Sequence, residues 1–213
     1  MQLTLKQVVI LPGQQLRLQD ISWQQFEELL EDWGEDRSAR FSYSDGQLEI
    51  MVPLPEHEDD KGIIGDFVKV ILEELEIEFR SLGSTTFKSQ AMKQAVEADE
   101  CFYIENERQI RGKKRINLEF DPPPDLAIEI DITSRTKFDN YQQLGVPELW
   151  RFNGNNLEIC VLQHGKYVKS QQSLHFPQFS IAESLPKYLE ESKVVGRNKT
   201  MKLFRSWVRE NIH

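Results

Sequence analysis

Acidic side chains recur along one predicted strand in the middle of the chain. The segment PPPDLAIEIDITS, residues 122–134, begins with three prolines that favour an extended backbone and continues with alternating apolar and acidic residues. A period of two places Asp125, Glu129 and Asp131 on one face of the strand and branched aliphatic side chains on the other. Glu129 and Asp131 would lie about 6 to 7 Å apart, close enough to bind a common hard cation such as Mg²⁺. A solvent-exposed acidic face is the alternative interpretation.

Two residues outside this strand could complete a metal-dependent hydrolytic site. Asp99 precedes a further predicted strand at 101–104, and if the two strands are neighbours in a sheet, Asp99 and Glu129 can bind the same ion. Lys137 lies eight residues after Glu129, at the start of a predicted helix at 136–144. From there a lysine could stabilise negative charge on a phosphate or orient an attacking water molecule. The alternative for Lys137 is an ordinary position on the helix surface.

A basic segment precedes the acidic strand. Residues 105–124, ENERQIRGKKRINLEFDPPP, connect two predicted strands and carry a local charge opposite to that of the whole protein. The candidates for contact with phosphate are Arg111, Lys113, Lys114 and Arg115. An ordinary basic surface loop is the alternative.

The elements that must position these residues mix helices and strands. Ser22 is a candidate N-cap for a helix at 22–33, and the pair Asp45-Gly46 predicts a hairpin turn between two strands. The other predicted elements are a long helix at 58–78, strands near 79–90, 101–104 and 125–132, a short helix at 136–144, strands at 147–153 and 157–170, and two C-terminal helical segments. This order predicts an α/β or α+β domain with a mixed central sheet flanked by helices.

The composition narrows the class of protein. The 213 residues are 39% hydrophobic, which is enough for one domain with a sizeable core. The formal net charge of −9 argues against a protein that coats nucleic acid through its overall charge, so any such contact must be local or assisted by metal ions. Cys101 and Cys160 lack metal-ligand spacing and are expected to be buried free thiols. The N-terminal segment lacks the pattern of a signal peptide, and no segment reaches the length of a membrane span, so we expect a soluble cytoplasmic protein.

Several motifs, taken together, resemble one family. The segments are ADECFYI at 98–104, PPPDLAIEIDIT at 122–133, Lys137-x-x-x-Tyr141, LGVPELWRF at 144–152 and DGQLEIMVPLPEHE at 45–58. In their order and spacing they resemble the bacterial restriction-endonuclease family formerly described as a domain of unknown function, within the PD-(D/E)XK nuclease superfamily. The resemblance implies a restriction-endonuclease-like core over about 20–190 in a single domain 1–213, with a helical extension over about 191–213.

The resemblance also implies roles for individual residues. Asp99 takes the place of the motif aspartate and Glu129 that of the acid on the next strand, and both are implied ligands of Mg²⁺ or Mn²⁺. Asp131 stands where the superfamily pattern has its lysine, so Lys137 takes that role from the following helix. Supporting residues are sought among Glu49, His57, Glu58, Asp125 and Asp131.

The resulting functional expectation is Mg²⁺-dependent hydrolysis of phosphodiester bonds in DNA, expected to be double-stranded. Because cutting both strands of a duplex needs two sites related by symmetry, we also expect a homodimer. Two alternatives remain open at this stage. One is a catalytically inactive DNA-binding or protein-interaction module that retains the nuclease fold, and the other is metal-dependent hydrolysis of a different phosphoester.

Overall fold

The structure is a computed structural model that describes residues 8–34, 39–131 and 138–212, with only the backbone of Phe138 included. Within these ranges the chain forms eleven strands and six helices. The strands are β1 (Gln15–Leu18), β2 (Arg40–Ser44), β3 (Gln47–Met51), β4 (Arg80–Ser81), β5 (Thr86–Ser89), β6 (Gln94–Glu97), β7 (Glu100–Tyr103), β8 (Leu126–Ile130), β9 (Glu148–Phe152), β10 (Leu157–Gln163) and β11 (Lys166–Ser170). The helices are α1 (Trp23–Trp33), α2 (Pro55–Glu74), α3 (Glu107–Ile110), α4 (Phe138–Leu144), α5 (Ile181–Val195) and α6 (Arg197–Glu210).

The strands form two sheets. The first has the order β1-β3-β2-β6-β5, and every neighbouring pair in it is antiparallel. The second has the order β11-β10-β9-β8-β7-β4 and is mixed, because β8 and β9 run parallel while its other pairs are antiparallel. A parallel pair needs a crossover connection, and α4 lies within the one that joins β8 to β9.

Helices cover these sheets on several sides. On one face of the second sheet α2, α5 and α6 enclose the largest apolar core, in which the Phe67 and Phe204 rings lie 4.4 Å apart between centroids. On its other face, Tyr141 of α4 packs with Cys101 of β7. The helix α1 covers the first sheet, where the Phe26 and Tyr43 rings stack. The helix α4 therefore lies between the two sheets.

Local sequence signals account for the N-terminal elements. The Ser22 side chain accepts a hydrogen bond from the Gln25 backbone N–H, and Gln25 bonds back to the Ser22 N–H, which forms a capping box at the start of α1. Asp45 and Gly46 both have positive φ in the turn between β2 and β3, as a tight hairpin requires. The predicted helix and hairpin are confirmed.

The long helix α2 begins and ends earlier than the predicted range 58–78. Pro55 occupies its first turn, where the missing N–H and the fixed φ of proline are favourable. The helix ends because Glu76 adopts a left-handed conformation with φ 54°, and the Ile77 N–H bonds to the Leu72 carbonyl. Glycine usually occupies this position in such a motif. The stop therefore carries no recognisable signal in the sequence.

The mixed sheet flanked by helices is confirmed, and three elements were not predicted: β1, β6 and α3. The strand β6, QAVE, is buried along its whole length and lacks the alternation of polar and apolar residues that would predict a strand. In the first sheet it lies between β5 and the β2–β3 hairpin. The one-turn helix α3 lies inside the segment that the sequence predicts as a basic loop. Short elements of this kind depend on tertiary contacts more than on local pattern.

Two further expectations concern the chain as a whole. Cys101 and Cys160 are both buried free thiols, as predicted. Among the helices that the structure describes, none is long and apolar enough to cross a membrane.

Candidate active site

Asp99 and Glu129 converge at one end of the mixed sheet. The antiparallel pairing of β7 with β8 places Asp99, which precedes β7, beside the last residues of β8. The Asp99 Oδ2 atom accepts a hydrogen bond of 2.9 Å from the backbone N–H of Ile130. The Asp99 carboxyl also lies within hydrogen-bonding reach of Glu129. The two acids therefore meet at one place on the face that α4 covers.

The Glu129 carboxyl occupies an electrostatically unfavourable position. Burial raises its pKa well above the ordinary value, and the Asp99 and Asp131 charges add to this effect. A hydrogen bond from the Tyr141 hydroxyl to Glu129 Oε1 opposes the rise. Tyr141 itself is fully buried in α4. Two carboxylates held together in this way favour the uptake of a proton or a cation.

Cationic side chains from two distant segments surround Asp99. The His57 Nε2 atom of α2 lies 3.1 Å from Asp99 Oδ2, and the Arg40 Nε atom of β2 lies 3.6 Å from Asp99 Oδ1. Arg40 also pairs with Glu58 at 3.0 Å and with Glu97 at 3.7 Å. The sequence did not identify Arg40 as part of the site. It is the first residue of a hairpin strand, on the polar face, and arginines at such positions are common on protein surfaces.

His57 is held in its charged form. Burial by itself would lower the His57 pKa, but the nearby carboxylates of Asp99 and Glu58, at 3.1 and 3.7 Å, outweigh this effect and raise the pKa to about 9. The same contact, with help from Lys61 and Arg40, lowers the pKa of Glu58 to about 2. His57 is therefore an imidazolium, and its positive charge offsets part of the negative charge of Asp99 and Glu58.

This pair predicts a pH dependence of stability. The folded pKa of His57, about 9, exceeds its ordinary value of 6.5, so the contribution of His57 is fully present below about pH 6.5 and is lost as the pH rises through 9. Each pKa unit corresponds to about 1.4 kcal/mol, and solvent screening at the partly exposed Glu58 reduces the total to about 2 kcal/mol. Between pH 6 and pH 9.5, in EDTA, the wild-type protein should lose this much more unfolding free energy than His57→Gln.

The matched control for this measurement is His164→Asn. His164 is exposed in the turn between β10 and β11 and has a positive φ, which asparagine tolerates. This control should keep the wild-type pH profile in urea unfolding experiments. If His57→Gln followed the same profile as the wild type, the proposed charge state of His57 would be wrong.

The donor set at this site suits a hard divalent ion. The Asp99 and Glu129 carboxylates meet with a raised Glu129 pKa, and a cation placed between them would relieve their repulsion. Magnesium is commonly bound by one or two carboxylates, with water and substrate phosphate completing its coordination. Within the described ranges, no group of three His, Cys, Asp or Glu side chains forms a ready-made metal centre. The pair therefore fits an ion of the magnesium type better than one that requires an all-protein cage.

The other acidic candidates have separate partners. Glu49 on β3 pairs with Arg17 of β1 at 3.3 Å. Asp131 accepts a 2.8 Å hydrogen bond from Arg151 Nε on β9, although its charge still acts on Glu129. Asp125 lies at the opposite end of β8.

Asp125 organises the chain after β7. Its carboxylate accepts hydrogen bonds from the backbone N–H groups of Ile104 and Asn106, at 2.7 and 3.0 Å, and from the Asn106 side chain at 2.6 Å. It is almost completely buried. These contacts support the turn that leads into α3, about four strand residues away from Glu129.

The basic residues lie at this same far end of the sheet. Arg111 forms a bidentate pair with Glu107 at 2.7 and 2.6 Å, and Lys113 pairs with Asp121. Lys114 and Arg115 are exposed. The segment is therefore partly neutralised internally and is separated from the carboxylate pair by the length of β8.

Lys137 and residues 132–136 lie outside the described residues. The helix α4 that follows is fixed in place by the side chains of Asn140 and Gln142. The Asn140 Nδ2 atom donates to Ser42 Oγ at 2.9 Å and to the Ala95 carbonyl at 3.1 Å, in the first sheet. The Gln142 Oε1 atom accepts a 2.8 Å bond from the Tyr167 N–H in the second sheet. These contacts set the position from which Tyr141 reaches Glu129.

The fold is shared with a solved structure. Its described architecture is similar to a crystal structure from Anabaena variabilis ATCC 29413 whose title describes a "putative nuclease belonging to DUF820". The two share a TM-score of 0.54 and 16% sequence identity, over 78% of this chain and 97% of the other. A comparison with curated proteins gave no match.

A family model assigns the chain more specifically. The Uma2 model, described as "Putative restriction endonuclease", matches residues 23–192. The protein belongs to this family. The match includes both Asp99 and Glu129 and ends before α6.

Proposed function

We propose that the protein is a metal-dependent endonuclease that hydrolyses phosphodiester bonds in DNA, of the PD-(D/E)XK type. The observation that carries the proposal is the meeting of Asp99 and Glu129 from neighbouring strands in a member of a restriction-endonuclease family. A pair of hard oxygen donors with a raised Glu129 pKa is suited to Mg²⁺ or Mn²⁺.

Asp99 and Glu129 would hold the ion. When bound, such an ion polarises a phosphoryl oxygen and lowers the pKa of a water molecule, which supplies the nucleophile near neutral pH. The Ile130 N–H and His57 fix the Asp99 carboxylate in place, through contacts of 2.9 and 3.1 Å. The positive charge of Arg40 offsets the negative charges of Glu58, Glu97 and Asp99. This lowers the repulsion between the site and an approaching polyanion.

Lys137 is proposed to assist the reaction from the residue before α4. It precedes by four residues Tyr141, whose hydroxyl contacts Glu129. The basis for this role is the family resemblance, in which Lys137 of the Lys137-x-x-x-Tyr141 motif takes the place of the motif lysine. Its ammonium group would stabilise charge on the phosphate or orient the attacking water.

Replacing Lys137 by alanine tests this role. We expect the rate constant for cleavage to fall by about 10²-fold, in the range typical of general acid–base or electrostatic assistance. The affinity for Mn²⁺, measured by isothermal titration calorimetry, should stay near the wild-type value because Lys137 is not an ion ligand. A loss of ion affinity equal to that of an Asp99 variant would contradict the assignment.

Double-stranded DNA is the proposed substrate, and cutting both of its strands favours a homodimer. Exposed Lys114 and Arg115 are candidates for contact with the backbone, at some distance from the scissile phosphate. Such contacts would make the affinity fall as the salt concentration rises.

The proposal is tested by incubating supercoiled plasmid with the protein and Mg²⁺ or Mn²⁺, with EDTA as the control. Conversion to open-circular or linear DNA that requires the ion supports the endonuclease. Retarded migration of DNA without cleavage would favour the inactive binding module, which gains support from Asp131 at the usual lysine position and from its pairing with Arg151. Hydrolysis of a small phosphodiester without plasmid cleavage would indicate a different phosphoester substrate.

A further inference from the structure

Tyr141 differs from the other buried tyrosines in the group to which its hydroxyl donates. Three other tyrosine hydroxyls donate to backbone carbonyls: Tyr43 to Ile21 at 2.9 Å, Tyr103 to Pro122 at 2.9 Å and Tyr167 to Val146 at 2.8 Å. The Tyr141 hydroxyl donates to the side-chain carboxylate of Glu129. A buried phenol needs a hydrogen-bond partner, and this one is the acid proposed to bind an ion.

The position of Tyr141 is fixed from both sides. Asn140 anchors α4 to the first sheet through Ser42, and Gln142 anchors it to the second through the Tyr167 N–H. The Tyr141 ring is fully buried among apolar residues of the mixed sheet. Its hydroxyl therefore reaches Glu129 from a rigid support, unlike a surface side chain that must be ordered for the purpose.

We propose that Tyr141 is a positioning residue for ion binding, which holds Glu129 Oε1 so that the other carboxylate oxygen is presented beside Asp99. The inference rests on the proposed function. The Glu129 side chain has several rotatable bonds, so without this hydrogen bond its carboxylate could turn away from Asp99. Groups that orient metal ligands in this way commonly change ion affinity or activity by about 10 to 100-fold when removed.

The test compares Tyr141→Phe with Tyr103→Phe. Both variants remove one buried hydroxyl from the same apolar core, but Tyr103 donates to the Pro122 carbonyl and does not contact the acids. We expect Tyr141→Phe to bind Mn²⁺ at least about tenfold more weakly, by isothermal titration calorimetry, while Tyr103→Phe stays within about twofold of the wild type. Thermal unfolding of each variant shows whether it is folded at the assay temperature.

Several outcomes would overturn the inference. If Tyr141→Phe binds Mn²⁺ as well as the wild type, or if both variants lose affinity equally, the hydroxyl has no positioning role, while ion binding by the wild type leaves the proposed function intact. If the wild type and Glu129→Gln are equally unable to bind Mn²⁺, the proposed function itself fails and the inference fails with it. Mn²⁺ binding by the wild type therefore distinguishes a failure of the inference about Tyr141 from a failure of the proposed function.

A second measurement follows the wild-type protein directly, and the phenylalanine variants serve only to assign its signals. The Tyr141 and Tyr103 ring signals are followed by NMR with tyrosine labelling, and each is identified by its absence from the corresponding phenylalanine variant. Addition of Mg²⁺ should shift the Tyr141 signal and leave the Tyr103 signal in place. An unchanged Tyr141 signal at saturating Mg²⁺ would count against the inference.

Discussion

Glu129→Gln should reduce ion-dependent DNA cleavage by at least about 10³-fold. Glutamine keeps the size of the side chain and can still accept a hydrogen bond from Tyr141, but it removes the charge that, with Asp99, would hold a divalent ion. A bound ion contributes several kcal/mol of transition-state stabilisation, and about 4 kcal/mol corresponds to 10³ in rate. The measurement is the initial rate of supercoiled-plasmid conversion at fixed Mg²⁺.

The same substitution should not harm the fold. Because burial and the neighbouring acids raise the Glu129 pKa, the neutral amide relieves an unfavourable interaction, and the unfolding free energy without metal should stay equal or rise. Glu31→Gln is the matched control, since Glu31 is exposed on α1 and undergoes the same change of charge. Full cleavage activity in Glu129→Gln would exclude Glu129 as an ion ligand.

Phe204→Ala should destabilise the protein by about 3 to 5 kcal/mol, as expected when a large aromatic side chain is deleted from a packed core. Phe204 is fully buried on α6, and its ring lies 4.4 Å from that of Phe67 and 5.1 Å from that of Tyr188, between centroids. The change should appear as a lower midpoint of urea unfolding. It should leave the ion affinity of the surviving folded protein near the wild-type value.

Leu203→Ala is the control for this prediction. Leu203 precedes Phe204 on the same helix but is 41% exposed, so its truncation should change the unfolding free energy by no more than about 0.5 kcal/mol. The contrast tests the proposal that the C-terminal extension belongs to one cooperative domain, although the family model ends at residue 192. Equal effects of the two substitutions would indicate that α6 only lies on the surface.

The sequence could predict the elements whose signals are local. The capping box at Ser22 and Gln25 and the turn at Asp45 and Gly46 depend on residues within four positions of each other, and both are present in the structure. The end of α2 could not be predicted. A glycine usually marks the left-handed residue that ends a helix, but here that residue is a glutamate, Glu76. The strand β6 has too few residues to establish a period.

The candidate site likewise contains residues that the sequence could identify and residues that only the folded structure brings to it. The resemblance to a nuclease family selected Asp99 and Glu129, and the strand pairing places them together. The pattern of alternating acids alone would have grouped Asp125 with Glu129, yet Asp125 bonds to the backbone at the other end of the strand. Arg40 could not be found from spacing, because it reaches Asp99 from a hairpin 59 residues earlier.

The bond from Asn140 to Ser42 joins positions 98 residues apart, and it has a consequence for synthesis on the ribosome. The helix that reaches Glu129 is held on one side by a hairpin made early and on the other by a strand made late. A nascent chain lacking the strand at Lys166–Ser170 cannot complete this support. Under the proposed function, DNA cleavage is therefore expected to arise only after residues 166–170 have been synthesised and have joined the sheet.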